Sequence, residues 1–380
     1  MMMMKRQTTI KISIILAAII IAVAAITPIM SLVLAQTGSN SNSVKTLRIG
    51  YFPNINHAQA VIGFGKGDFQ KALGNNIQVQ TTVFNAGPSA IEALLAKRID
   101  ATYVGPNPAI NGYVVSGGKD LNIIAGASSG GASFVVRNDA GINSPKDLAG
   151  KRLASPELGN TQDIALRSYL LKNGLKTTDQ GGSVVLTPVA NPDILTLFLK
   201  KQLDGAWVPE PWATRLVNEA NGRIFLDERN IWPGGKFVTA NIAVSTDYLK
   251  NNQDVISKLL AAHVNETVWI NSHKDEAVQA FNIQVKKLTG KSIPQDELKQ
   301  AFSRIDFTYD PIKLSLFQSA NNAYNLGLLA KGKPRPDLSG IFDLTLLDQV
   351  LKSKGLTPIE AGLQQFSPRS SSGGNLGAVE

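Results

Sequence analysis

The chain has 380 residues, 43% of them hydrophobic, a net charge of +9 and no cysteine. That length suits about two domains of ~100–200 residues each. The missing cysteine excludes disulfides, thiolate nucleophiles, Cys-ligated zinc and a lipid-modified Cys anchor, and no tight Lys/Arg stripe with interleaved aromatics is present, so nucleic acid is not expected as a partner.

Lys5, Arg6 and Lys11 precede an uncharged, mostly aliphatic run from Ile12 to Ala35 that ends in Val33-Leu34-Ala35 before Gln36. Residues 1–35 read as a signal peptide or an N-terminal membrane anchor, which sends the remainder outside the cytoplasm. Residues 36–45, beginning QTGSNSNS, read as a flexible linker.

From Leu47 apolar strand patterns alternate with amphipathic helices, which argues for a largely parallel sheet. Strands are expected at 47–52, 77–84, 101–104, 121–127 and 132–137. A second run of similar units follows from about Gly141 to Gly235, with strands in KRLAS, VVLTPV, GAWV and RIFLDE. A further strand at 237–245 precedes a helical stretch that reaches Leu356. The tail 367–380, SPRSSSGGNLGAVE, reads as disordered. The expected fold is α/β with two lobes, 46–135 plus 240–360 and 136–239, joined by a hinge of two crossing strands. The cleft between such lobes is where a ligand sits.

Six junctions carry the functional signal: RIGYF–PNINHA, TTVFN–AGPSAIE, ATYV–GPNPAI, RLAS–PELGNTQD, VVLTPV–NPDIL and GAWV–PEPWA. Each runs from a strand through Gly, Asn, Ser or Pro into a helix. Helix N-termini at the carboxyl ends of strands offer unpaired N–H groups and a positive dipole end, suited to a small anion. Ser89 with Glu92 fits a capping box, and Asn107, Asn160 and Asn191 read as helix caps. No Arg or Lys lies in these loops, so backbone donors, hydroxyls and amides are expected to hold the anion. His57 reads as a donor or a capping residue. In GAWVPEPWA, Glu210 is expected to bind neutral groups, to receive an ammonium, or to close the cleft against the other lobe; Trp207 and Trp212 line or pack. No dinucleotide or P-loop motif is present. Three scattered histidines argue against a metal. No nucleophile–base pair is evident, so neither an enzyme nor a cofactor is expected.

YFPNINHAQAVIGFGKGDFQK, FNAGPSAIEALLAKRIDATYVGPNPAINGY, IIAGASSGGASFVV, LGNTQDIALRSYL, DGAWVPEPWATRLV and DERNIWPGGKFVT resemble solute-binding proteins of ATP-binding cassette importers. The nearest branch is the aliphatic sulfonate, taurine and nitrate group, and the resemblance spans about residues 47 to 360. It implies a two-lobed periplasmic-binding-protein type II fold. Such a protein, expected as a monomer, closes on its ligand and delivers it to a membrane permease with ATPase subunits. The implied ligand residues are Asn54, His57, Gly87, Pro88, Ser89, Asn107, Ser128, Ser129, Asn160, Thr161, Gln162, Trp207 and Glu210. An aliphatic sulfonate is the first expectation; taurine, nitrate, a thiamine pyrimidine precursor, an enzyme on the same scaffold and a ligand-sensing ectodomain are the alternatives.

Overall fold

Eleven strands form two sheets in the computed structural model, which describes residues 44–359. The N-terminal segment 1–35, almost all of the linker and the tail 367–380 lie outside the described residues. The first sheet contains β1 (Lys45–Tyr51), β2 (Ile77–Val83), β3 (Ala101–Val104), β4 (Leu121–Gly130), β10 (Val238–Ser245) and β11 (Ile305–Phe307), in the order β11-β4-β10-β3-β1-β2. The second contains β5 (Ala132–Arg137), β6 (Arg152–Ser155), β7 (Val185–Pro188), β8 (Gly205–Pro209) and β9 (Gly222–Asp227), in the order β7-β6-β8-β5-β9. Each sheet defines one lobe of an α/β fold. Strands β2-β1-β3 and β7-β6-β8 are parallel sets. A strand from elsewhere in the chain joins each set antiparallel: β10 beside β3, and β5 beside β8. The short β11, unannounced by any apolar run, caps the first sheet through β4.

The two lobes repeat one design down to side chains. Arg48, in the middle of β1, forks onto Asp100, with its backbone N, Nε and Nη2 donating at 2.8, 3.0 and 2.5 Å. Its Nη1 donates to Lys97 O at 2.8 Å. Arg152 opens β6 and does the same to Asp204 at 2.9, 3.1 and 2.8 Å, and to Lys201 O at 3.0 Å. Both Arg–Asp spacings are 52 residues. Lys97 and Lys201 are both left-handed, at φ 57°. The helices before them, Gly87–Leu95 and Asn191–Leu199, both follow an alanine and carry proline in the first turn. Bidentate forks of this kind fix geometry as well as adding energy. They tie β1 to the start of β3 and β6 to the start of β8, and leave the carboxyl ends for the cleft.

Chain crossing between the lobes happens twice. β4 and β5 are separated only by Gly131, and Gly130 and Gly131 take φ of 76° and 70°, which favour glycine. A Cβ on Gly131 would lie 2.2 Å from Ile305 Cγ1. The return crossing is not a strand. It runs through short helical turns at Glu228–Ile231 and Pro233–Gly235 before β10 begins. Glu228 is buried here and accepts from two indoles, Trp207 Nε1 at 2.7 Å and Trp232 Nε1 at 3.1 Å. Trp232 stacks on Phe237, the last residue before β10.

Burial pushes the Glu228 carboxyl up to about 7, against the pull of the two indole donors. The folded protein therefore favours the neutral acid more than the unfolded chain does. The stability this contributes is complete below about pH 4.5 and is lost as pH rises to about 7, up to about 3 kcal/mol. Urea unfolding should show wild type losing stability relative to Glu228→Gln between pH 5 and pH 8. A difference between the two that does not vary with pH would contradict this.

Helix starts depart from expectation in three places. The helix Gly87–Leu95 is capped at Ala86, so Ser89 lies inside its first turn and donates back to Ala86 O at 3.0 Å. Pro106–Val115 starts before Asn107, with Gly105 as cap, because Pro106 has no N–H to leave unpaired at the first position. Asn191 is the first helical residue, not the cap. Asn160 is a cap as expected: its Oδ1 accepts from Thr161 N at 2.9 Å ahead of the helix Thr161–Lys172.

Candidate anion site between the two lobes

The loops at the carboxyl ends of the strands meet around one small cavity. From the first lobe come Phe52, Asn54, Asn56 and His57 after β1, Asn85 and Ala86 after β2, Gly105 after β3, and Thr239 on β10. The second lobe supplies Pro156, Asn160, Thr161 and Gln162 after β6, Asn191 after β7, and Pro209 at the end of β8. The N-terminal ends of Gly87–Leu95, Pro106–Val115, Thr161–Lys172 and Asn191–Leu199 all open on it. The lobes are closed on each other. The space left is ≈ 20 Å³ for the centre of a water-sized sphere, room for about one small polar group.

No Asp, Glu, Lys or Arg lines this wall. Its polar atoms are nonetheless unusual. Asn56 Oδ1, Thr161 Oγ1 and Asn191 Oδ1 are buried with no hydrogen-bond partner among the described residues. Leaving such a group unpaired costs about 1–3 kcal/mol, so buried polar atoms are nearly always satisfied. The amide of Asn191 can turn either end to the cavity, since the two ends have the same shape, whereas Asn56 Nδ2 donates to Gly130 O at 3.4 Å and so leaves its Oδ1 as the free end.

His57 is buried, and its ring stacks on Phe52 at 4.5 Å. Its Nδ1 accepts from Phe52 N–H at 3.3 Å, which places the proton of the neutral ring on Nε2. Burial pushes the imidazole down to about 3. His57 is thus a neutral donor rather than a cation. His263 is also neutral, lowered to about 4 by burial and held between Tyr103 Oη at 2.9 Å and Gly126 O at 2.8 Å. It serves the core of the first lobe.

Of the residues expected from sequence, Asn54, His57, Asn160, Thr161 and Gln162 line the cavity. Others stand behind the wall. Ser128 donates to Asn56 O and pairs with Thr239 Oγ1, both at 3.0 Å, so it sets two wall residues. Ser129 Oγ accepts from Phe237 N at 3.3 Å. Asn107 donates to Ser319 O at 3.3 Å. Gly87 lies so near Pro108 that a Cβ there would be 2.3 Å from its ring, and Pro88 continues that first helical turn. Trp207 is turned into the core of the second lobe, stacked on Phe134 at 5.5 Å. Glu210 is fully buried and occupied: it accepts from Thr214 N at 3.0 Å, Thr214 Oγ1 at 3.1 Å and Arg304 Nη1 at 2.8 Å. Phe52, Asn56, Asn85, Gly105, Asn191, Pro209 and Thr239 complete the wall without having been expected as ligand residues.

A model of the NMT1-like family matches residues 40–284 of this chain. The chain belongs to the NMT1-like family. Relatives of this NMT1-like protein include one from Brucella abortus provisionally named a binding protein. It is 26% identical over 264 residues, covering 66% of this chain and 78% of that one. A Bacillus subtilis protein provisionally named as binding aliphatic sulfonates is 23% identical over 327 residues, covering 84% and 93%. Among solved structures, the periplasmic nitrate-binding protein NrtA from Synechocystis PCC 6803 has the same fold. It matches at a TM-score of 0.68 and 15% identity, covering 82% of this chain and 89% of that one. The NMT1-like chain thus has the fold of periplasmic solute-binding proteins.

Proposed function

We propose that this protein is the extracytoplasmic solute-binding component of an ATP-binding cassette importer, and that it closes on a small organic anion, an aliphatic sulfonate. One observation carries the reading: an uncharged, buried cavity where four helix N-termini meet and three polar atoms lack partners among the described residues. Helix ends and N–H groups favour an anion without any cationic side chain. A sulfonate's oxygens suit several convergent donors, among them His57 Nε2 and the amides of Asn54, Gln162 and Asn191. Phe52, Pro156 and Pro209 offer apolar surface for an alkyl group.

The wall holds no carboxylate, and Glu210 is already taken by Arg304 and Thr214. An ammonium would find no counter-charge, so plain alkanesulfonates are favoured over taurine. The small volume supports nitrate as the second reading. His57 is the one titratable side chain in the wall and stays neutral, which supports capture and release rather than catalysis.

Thermal unfolding against ethanesulfonate, taurine, nitrate, bicarbonate and a pyrimidine precursor tests this. A ligand present at 100 times its Kd should stabilise the protein by about 2.7 kcal/mol. Ethanesulfonate is expected to raise the melting temperature more than taurine does. No shift with any of the five would remove the anion-capture reading, and a shift with nitrate alone would favour the second.

A further inference from the structure

Glu210 links the lobes through both its backbone and its side chain. It directly follows β8 of the second lobe, and its N–H donates to Gly131 O at the first crossing, at 2.8 Å. Its carbonyl accepts from Ile55 N–H of the first lobe at 3.2 Å. Ile55 lies between Asn54 and Asn56, and the short turn Ile55–His57 carries His57. The buried carboxylate meets Arg304, which belongs to the first lobe just ahead of β11. Arg304 Nη1 also donates to Thr214 Oγ1 at 2.6 Å. Its backbone adjoins the crossing: a Cβ on Gly130 would lie 2.8 Å from Arg304 O. A second thread runs beside it, Trp212 Nε1 to Asn54 Oδ1 at 2.9 Å.

A carboxylate taken fully out of water needs a cation and good hydrogen bonds to stay charged. Burial raises the Glu210 carboxyl, and Arg304 is the leading influence that opposes it. Without Arg304, the closed arrangement would bury an uncompensated charge, whereas an opened cleft would let water reach it.

We infer that Arg304 is a positioning residue for the anion site: by neutralising Glu210 across the two lobes, it holds the register in which the turn bearing Asn54, Asn56 and His57 faces the second lobe. The inference rests on the reading of the cavity as an anion site. It predicts that Arg304 acts on ligand retention, not on encounter, because Arg304 is not part of the cavity wall.

Stopped-flow and calorimetry with ethanesulfonate would test it on wild type, Arg304→Met, Arg304→Lys, Glu210→Gln and the double variant Arg304→Met/Glu210→Gln. Arg304→Met should dissociate ethanesulfonate at least tenfold faster with an association rate within twofold of wild type. Arg304→Lys should recover most of the loss, and the double variant should be no worse than Arg304→Met, as expected for coupled partners. Equal dissociation rates in wild type and Arg304→Met, or losses that simply add, would overturn the inference. Small-angle scattering of the ligand-free proteins makes the test independent of the ligand. Arg304→Met should have the larger radius of gyration, and equal radii would overturn the clasp. Failure of wild type to bind ethanesulfonate, with the radii still different, would count against the anion reading and leave the clasp standing.

Discussion

Asp163→Ala should lower the unfolding free energy by about 3–5 kcal/mol, the usual result of stripping one partner from a buried ion pair. Asp163 lies in the first turn of the helix Thr161–Lys172 and is fully buried. It accepts from Ser155 Oγ at 2.9 Å, Gly159 N at 2.9 Å and Arg167 Nε at 3.1 Å. The Arg167 side chain is itself only 3% exposed, and its Nη1 continues to Thr177 at 3.1 Å and Asp179 at 2.9 Å. Alanine would leave that guanidinium short of its buried partner and release the Gly159 N–H. The carboxylate also complements the positive end of the helix. Asn keeps the shape and two of the hydrogen bonds, so Asp163→Asn should lose less than alanine does. Urea unfolding decides it: a loss below about 1 kcal/mol for the alanine variant would mean the network is more relaxed than its geometry indicates. Anion affinity should fall too, since the loop through Gly159, Asn160 and Thr161 hangs from this carboxylate.

Gly105→Ala should weaken anion binding more than tenfold, at least 1.4 kcal/mol. Gly105 has φ −66° and ψ 158°, a conformation open to any residue, so the first lobe can fold around alanine. The added Cβ would lie 2.4 Å from Thr161 Oγ1 of the opposite lobe. The clash exists only when the cleft is shut. Thr161→Ala in the same chain removes the obstacle, so the double variant should bind better than the sum of the two single losses allows. Calorimetric titration of the four proteins gives the coupling directly. Strict additivity would show that the lobes do not meet at this point during binding.

Much of the scaffold was legible in sequence because the strand–helix junctions announce themselves locally. An apolar run, a glycine or proline, and a capping residue suffice to place a strand end and a helix start, and all ten expected strands are present. The cavity residues that were legible, such as Asn160 and Thr161, sit at those starts. For Trp207 and Glu210 the packing role and the closure against the other lobe stood only as one alternative among several, with nothing in the sequence to choose between them. Every residue of Gly205–Pro209 is buried, so the alternation that tells one face of a strand from the other is absent there. Nothing near Glu210 in sequence points to a partner 94 residues away. The three helix caps went astray because each expected cap adjoins a proline (Pro88, Pro106 or Pro192) that suits the first helical turn, and propensity alone does not say on which side of it the helix starts. The internal repeat was readable, in AKRIDATYV against KKQLDGAWV, but it becomes persuasive only when both arginines are seen forking onto both aspartates.

That repeat has a consequence for altering what the protein holds. The segments ATYVGP and GAWVPE correspond, so Gly105 and Pro209 are counterparts, and both line the cavity. Pro106, which opens a helix, has Glu210 as its counterpart, where the cross-lobe ion pair has grown. A pocket assembled from matched positions starts out indifferent to which way round a guest lies. Its sense of direction comes from the mismatched pairs alone. Redesign of selectivity should therefore begin with one member of such a pair, and leave untouched the arginine forks that both halves share.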